Sequence, residues 1–416
     1  MPIVVVYDKG SAAPGEIIAS LADDDGLVIV LADTETARNA RVVFESCSRA
    51  VLDLSDADLP ARLRALGVTG IVTYSERMLQ ATADLADRCA LAYSPPPAVA
   101  ALTDKSAQRA ALREGGADVV ATAEIRSIDD YASALAHVGV PAVIKPAQGE
   151  SSRNTLLVHT ADEGRQAVTD YLTVEKRLVM EEFLRGTAPE EPYGDYVSVE
   201  SAVLPSGPVQ YAITGKFRLA PPFRESGQFW PARLDDDLAA EVSRLAGSAI
   251  TALGMTTGLA HTEIKLTADG PRIIEVNGRL GGLQPDLAAR ATGLDTIRLG
   301  ADIALGRPVE LAPVRPDRVY FQLFTPGPTT NGFLRRSWGG REALALPGVT
   351  AYRAYARPGT VVGGTSSNWL DLTCGVVDSH AELPALVRAV TQVLHYEFDI
   401  VGTSVVRTAA DLLVNP

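Results

Sequence analysis

The stretch from Gly258 to Gly282 concentrates the side chains best suited to chemistry. Apolar and polar residues alternate on both sides of Asp269-Gly270-Pro271, which predicts two short strands joined by a turn. Glu263 and Lys265 then share one face of the first strand, with Ile264 and Leu266 on the other. On the second, Ile273, Glu275 and Asn277 point one way and Ile274 and Val276 the other. Folding at the turn brings Glu263 beside Glu275. Two carboxylates and an amide oxygen at adjacent sheet positions repel one another unless a cation lies between them, and an all-oxygen ligand set suits Mg²⁺. A solvated hairpin face is the alternative. It gives no reason for His261, Arg279 and the Gly281-Gly282 exit to gather on the same polar side.

Further charges lie upstream. Leu102-Thr103-Asp104-Lys105 predicts a helix capped by Thr103 or Asp104 and running to about Glu114, where Gly115-Gly116 ends it. Pro141 to Pro146 reads as a strand with Lys145 between Ile144 and Pro146, a setting that favours a lysine aimed at a buried anion over one paired with any nearby carboxylate. The loop Gln148 to Asn154 offers backbone N–H groups and the hydroxyls of Ser151 and Ser152 to phosphate oxygens. Arg177 to Gly186 is a strand ending in Glu181 and Glu182, followed by Phe183 and Leu184. Such an end can present its backbone to the edge of a flat ring while the carboxylates face hydroxyls of an attached sugar. Glu225 lies in Glu225-Ser-Gly-Gln-Phe-Trp-Pro231, which reads as a loop over the substrate or packed on the sheet. Ser75 and Glu76, beyond a predicted strand, serve either as a helix cap or as substrate contacts.

The elements that must carry these residues follow from the hydrophobic pattern. Ile3 to Tyr7, Leu27 to Leu31 and Gly70 to Tyr74 are buried-strand runs, interleaved with helices at Glu16 to Leu21, Leu59 to Leu66 and Met78 to Cys89, which predicts an open parallel sheet. The Gly10 to Gly15 loop does not fit a dinucleotide fingerprint. Ser94-Pro-Pro-Pro97 marks a stiff junction. Strands at Tyr196 to Glu200 and Gln210 to Phe217 would floor a cleft, and Leu238 to Leu253 is an amphipathic helix leading into the hairpin. Helices at Asp286 to Ala291 and Thr296 to Leu305 follow. Beyond residue 311 come strands at Val319 to Phe324, Thr350 to Tyr355 and Leu372 to Val377 and a helix from Ala381 to Tyr396. The predicted fold class is α/β and α+β multidomain: an N-terminal open parallel-sheet domain (1–94), a two-part central unit (95–186 and 187–310) and a C-terminal α+β domain (311–416).

Composition narrows the partners. The chain has 416 residues, 46% hydrophobic and 21% charged, with a net charge of −13 that argues against nucleic acid. Cys47, Cys89 and Cys374 are few, odd in number and far apart, which predicts a reduced compartment without disulfides. No apolar run has membrane-spanning length and the start lacks a signal-peptide pattern, so a cytoplasmic protein acting on small molecules is expected.

The order Asp104-Lys105, Val143-Ile-Lys-Pro146 with its polar loop, Met180-Glu-Glu-Phe-Leu184, His261-Thr-Glu-Ile-Lys-Leu266 and Glu275-Val-Asn-Gly-Arg279 resembles the ATP-grasp superfamily. Within it, the Glu-Glu-Phe-Leu segment, the His-Thr-Glu-Ile-Lys-Leu strand and the acid-Tyr-x-Ser-x-Glu strand at Asp195 to Glu200 are similar to the L-amino acid ligases of the bacilysin-synthetase type. The resemblance spans essentially the whole chain and is strongest between residues 100 and 305. It implies an ATP-grasp fold with a pre-ATP-grasp domain, and ATP with Mg²⁺, or Mn²⁺ in its place, as cofactors. Lys105, Lys145, Ser151, Ser152 and Lys265 would contact the nucleotide, with Glu181, Glu182, Phe183 and Leu184 around adenine. Glu263, Glu275 and Asn277 would hold the metal. Arg279 would stabilise an acyl phosphate and His261 would stand near the carboxylate substrate, with Glu225, Ser75, Glu76 and Gly281 as further substrate contacts. The implied reaction joins a carboxylate to an amine, both small molecules, in an enzyme compatible with a homodimer.

Two departures matter. The loop carries only Gly149 where related loops carry several glycines, although Asn154 tolerates a left-handed backbone. Asn277-x-Arg279-x-Gly281-Gly282 is nearer the carboxylase form, which keeps an ATP-grasp carboxylase or purine-pathway ligase using bicarbonate or formate as a second reading, and a non-catalytic ATP-binding sensor as a third. The two loops Gln148 to Asn154 and Glu225 to Pro231 are the expected lids over a water-sensitive intermediate.

Overall fold

The computed structural model describes residues 1–22, 26–149, 152–364 and 368–414. Its N-terminal part is the expected parallel sheet: β1 (Ile3–Tyr7), β2 (Leu27–Leu31), β3 (Ala50–Asp53) and β4 (Gly70–Val72) in the order β3-β2-β1-β4. Helices α1 (Pro14–Leu21), α2 (Glu35–Glu45), α3 (Leu59–Ala65) and α4 (Leu79–Cys89) connect them. Strand β1 is buried on both faces, Ile3, Val5 and Tyr7 in one core and Val4 and Val6 in another. That is why its sequence is continuous rather than alternating. Helix α2 and strand β3 had no clear sequence signal: α2 buries only Ala37, Ala40 and Phe44 along an otherwise polar face.

The prolines after Ser94 do not form an extended linker. They open α5 (Pro96–Thr103), where Pro belongs in a first helical turn. Asp104 ends that helix and caps α6 (Lys105–Glu114), accepting from the Ser106 and Ala107 amides. A small lobe follows: β5 (Thr122–Ile125), α7 (Tyr131–Val138), β6 (Ala142–Pro146), β7 (Leu156–Val158), α8 (Ala161–Tyr171) and β8 (Leu178–Glu182), with an antiparallel sheet in the order β5-β8-β6-β7.

The large sheet starts with β9 (Tyr193–Leu204), β10 (Gly207–Phe217) and β11 (Gly227–Trp230), continues after α9 (Asp236–Ala252) with β12 (Gly258–Thr267) and β13 (Gly270–Asn277), and is followed by α10 (Gln284–Thr292) and α11 (Thr296–Ala304). Then come β14 (Val319–Pro326), β15 (Gly332–Trp338), α12 (Gly340–Leu344), β16 (Val349–Ala354), β17 (Val361–Val362), β18 (Trp369–Val377), α13 (Leu383–Val393), β19 (His395–Ile400), β20 (Thr403–Thr408) and α14 (Ala409–Val414). Eight strands form one antiparallel sheet, β13-β12-β9-β10-β11-β14-β18-β16, so strands from beyond residue 311 extend the sheet that carries the hairpin. A smaller sheet, β17-β15-β19-β20, packs beside it.

The expected loop Glu225 to Pro231 is not a lid. Gly227–Trp230 is a buried strand hydrogen-bonded between β10 and β14. A strand this short, with Gly and Pro at its ends, has too few residues to show alternation. The predicted final helix is also shorter, since α13 ends at Val393 and the chain enters β19 at His395.

Candidate active site

Strands β12 and β13 pair antiparallel with Glu263 directly opposite Glu275 and His261 opposite Asn277. Burial of Ile264, Ile273 and Val276 in the core under α9 fixes that register, at about 2 kcal/mol for each side chain. The reversal falls one residue earlier than expected, Thr267 pairing with Gly270. A bulge then leaves Ile274 without a partner, so Ile273 joins Val276 in the core instead of lying on the polar face. The bulge keeps Glu275 and Asn277 on the side of Glu263.

Strand β13 is the edge of the large sheet, and α6 closes it. Gln108 donates to the Val276 carbonyl and accepts from the Val276 amide, both at 2.9 Å. Arg109 donates to the carbonyls of Ile273 and Ile274 at 2.8 Å. The same guanidinium grips Glu181 through two bonds of 3.0 Å, while Lys145 reaches Glu181 at 2.8 Å. Burial disfavours the Glu181 anion, but Arg109 and Lys145 outweigh it and hold its carboxyl down at about 2. Burial draws the Lys145 ammonium below its ordinary range, an effect that Glu181 only partly offsets. Gln108 and Arg109 escaped the sequence reading because isolated polar residues on an amphipathic helix look like its solvent face.

Lys105 lies where the lobes meet. Its ammonium is 2.9 Å from Glu275 and donates to the Gly149 carbonyl at 3.0 Å, tying the polar loop to the hairpin. In that loop Ser152 and Asn154 have φ of 54° and 51°, so left-handed residues replace the missing glycines. Asn154 donates to Glu175 at 2.7 Å, and Arg153 pairs with the same carboxylate. Ser151 lies outside the described residues. At the strand end Glu181 is enclosed in its cationic pair. Glu182 is the more exposed acid, 3.6 Å from Arg272. The Glu182 and Phe183 amides are taken by the Ala121 and Pro141 carbonyls.

On the hairpin side, His261 Nδ1 is 2.7 Å from Glu200 and Nε2 is 3.5 Å from Glu263. Ser198 also donates to Glu200, at 2.9 Å. Burial opposes protonation of His261, yet Glu200 and Glu263 prevail and raise it to about 8. Arg279 contacts Glu76 at 3.1 Å, and the Asn277 amide oxygen at 3.4 Å. Gly281 is required by proximity, since a Cβ there would lie 2.5 Å from His261 Nδ1. Lys265 pairs with Asp195 at 2.6 Å beside the Tyr196 ring. Glu225 stands 3.6 Å from Lys216, a buried lysine the sequence reading passed over. Ser75 makes no side-chain cap bond to the turn that follows; its buried hydroxyl donates to the Lys9 carbonyl and ties the chain after β4 to the loop after β1.

Glu263 and Glu275 keep 22% and 24% of their side chains exposed, against 5% for Glu181. With Asn277 they form an oxygen-only set that suits a hard divalent cation. Among the described residues no group of three His, Cys, Asp or Glu side chains is placed to hold a metal, so the amide oxygen and a ligand's own oxygens would have to complete the shell. No described helix is long and apolar enough to cross a membrane.

No family model matches the chain. It is 28% identical over 256 residues to alanine–anticapsin ligase of Bacillus subtilis strain 168, covering 57% of this chain and 54% of that protein. The chain thus spans about half the length of the curated relatives it matches. The crystal structure of an L-amino acid ligase from Bacillus licheniformis matches with a TM-score of 0.76 at 20% identity, over 95% of this chain and 98% of that one. The chain has the ATP-grasp fold. A second ATP-grasp structure, N5-carboxyaminoimidazole ribonucleotide synthetase from Thermotoga maritima, matches at a TM-score of 0.69 and 15% identity, over 95% of this chain and 99% of that one. Within this fold Lys145 lies in the small lobe, Lys105 opens α6, and Glu263 and Glu275 lie on the large sheet.

Proposed function

We propose that the chain is an ATP-dependent carboxylate–amine ligase that joins two amino acids or close analogues. The observation that carries this reading is the pairing of Glu263 opposite Glu275, both part-exposed, with Lys105 2.9 Å from Glu275. The likeness to alanine–anticapsin ligase points to the same chemistry.

A carboxylate is a poor acyl donor, and its attack on a γ-phosphate has to overcome repulsion between anions. Glu263, Glu275 and Asn277 would hold magnesium, which supplies positive charge at the phosphates. Lys145 from the small lobe and Lys105 from the start of α6 balance the remaining phosphate charge, and Leu184 meets the adenine edge. Arg279, steadied by Glu76, faces the charge that builds on the acyl phosphate. Phosphoryl transfer releases ADP; attack by the amine on the acyl carbon then forms the amide and expels phosphate, with one proton lost from nitrogen. The loop Gln148 to Asn154, tied to Lys105, keeps water from the intermediate.

Phosphate release measured with ATP, Mg²⁺ and pools of amino acids tests the reading, with the product weighed by mass spectrometry. Amino-acid-dependent release with a new amide is expected. Strict dependence on bicarbonate would favour a carboxylase, which the Asn277-x-Arg279-x-Gly281-Gly282 segment resembles. Nucleotide binding without release under any pool would make the chain a sensor.

A further inference from the structure

A cavity of about 250 Å³ lies between β10, the chain after β11, α9 and the segment ahead of β14. The strands explain it. Strand β10 pairs with β11 at Gly215–Phe229 and Lys216–Gln228. After Trp230 comes Pro231, which has no amide to extend the ladder. Beyond it β10 is met by single bonds, from the Ala232 amide to the Ile213 carbonyl at 3.0 Å and from the Val314 amide to the Tyr211 carbonyl at 2.9 Å. The small side chains Ala239, Ala240 and Ser243 on α9 leave the gap unfilled. None of the described residues lining it belongs to the hairpin, and Lys105, Lys145 and Arg279 are not among them.

The wall is mostly apolar, and it includes two aromatic residues, Tyr211 and Trp230. They keep 2% and 1% of their surface exposed, yet neither the Tyr211 hydroxyl nor the Trp230 indole N–H has a hydrogen-bond partner among the described residues. Buried tips of this kind normally find one. Tyr74 and Tyr131 do, each donating to a backbone carbonyl at 2.7 Å. Burial holds the Tyr211 phenol well above its ordinary range, so it stays a donor. Two buried donors without an acceptor call for an acceptor atom from outside the chain. Charge favours a neutral molecule over an anion. Arg315 at the rim pairs with Asp236 at 3.0 Å, and Asp235 and Asp237 flank that acid at the start of α9. Size sets the rest: a cavity of about 150 Å³ takes benzene, so one of about 250 Å³ has room for two fused rings.

We propose that this cavity binds a neutral two-ring aromatic molecule, packed against Tyr211 and Trp230, whose O–H and N–H donate to an acceptor atom on it. The site is separate from the nucleotide cleft and does not rest on the ligase reading. Strand β11 joins the two regions, since Gln228, two residues before Trp230, donates to the Gly282 carbonyl at 3.0 Å.

Calorimetry on the full chain with 2-naphthol as the probe tests it. A dissociation constant of about 100 µM is expected, unchanged by saturating Mg²⁺ and a non-hydrolysable ATP analogue. The anion 2-naphthoate should bind about tenfold more weakly. Ala239→Trp, which fills the cavity from the helix, should abolish binding while circular dichroism and the unfolding midpoint stay as in the unaltered chain. Tyr211→Phe removes only the hydroxyl and should weaken binding about fivefold. Displacement of 2-naphthol by the nucleotide analogue would put the probe in the cleft and overturn the proposal. So would full binding to a folded Ala239→Trp variant, unchanged affinity in Tyr211→Phe, 2-naphthoate binding as tightly as 2-naphthol, or no binding to the unaltered chain.

Discussion

In the small lobe Glu181 is enclosed by Arg109 and Lys145 with 5% of its side chain exposed, whereas on the large sheet Glu263 and Glu275 lie opposite each other and remain about a quarter exposed. The first group sets one carboxylate against two cations, so the anion is fully paired while positive charge is left over on the side of Lys145. The second is offset from its margins by His261, Lys216 and Arg279 around Glu263 and by Lys105 beside Glu275. A buried, fully paired carboxylate orients its partners; an opposed, quarter-exposed pair is free to take a cation. The difference assigns Glu181 to holding Lys145 in place and the hairpin acids to binding, although the sequence presents all three as acids at strand positions.

The largest effect should come from opening the closed group. Glu181→Gln leaves Arg109 and Lys145 without their anion and should cost about 3–5 kcal/mol in stability, measured by denaturant unfolding. The same group sets an acid limb. Because the Glu181 carboxyl is lowered to about 2, its contribution is complete above its ordinary value of 4.5 and is lost as pH falls toward 2, a change of about 3 kcal/mol. That limb should be missing from the variant; an unchanged acid unfolding profile would contradict the pairing.

Next in size, Arg279→Ala should lower turnover by about 10²–10³-fold at the open end while leaving the unfolding midpoint nearly unchanged. Near-normal product formation would remove Arg279 from the site. A smaller effect is expected at the contact between the two catalytic segments. Gly281→Ala places a methyl group 2.5 Å from His261 Nδ1, and should cost about 1–3 kcal/mol through displacement of His261 or the Gly-rich segment. A crystal structure of the variant with His261 still 2.7 Å from Glu200 would show that the segment yields without disturbing the site.

Much of this arrangement was legible because it depends on period and order. The hairpin register follows from alternating residues around one turn, and the Asp104 cap from a polar residue ahead of an apolar-periodic run. Long-range pairings were not legible. Whether Glu181 meets a ribose or a guanidinium depends on Arg109, which sits on another element and looks exposed in a helical pattern. Gly227–Trp230 becomes a strand only because β10 and β14 offer hydrogen bonds on both sides. The bulge at Ile274 moves Ile273 into the core, and only the Arg109 contacts with both carbonyls explain why it is tolerated at a sheet edge. Lys216 carried no motif, and its burial depends on Gln228 and Gln284 from two other elements.

The contrast between the two groups of acids is tested most directly by the magnesium dependence of nucleotide binding. Calorimetry with a non-hydrolysable ATP analogue, with and without Mg²⁺, should show metal-enhanced affinity in the unaltered chain and little enhancement in a Glu263→Gln/Glu275→Gln variant that still folds. Undiminished enhancement in that variant would place the metal elsewhere and contradict the assignment of the hairpin.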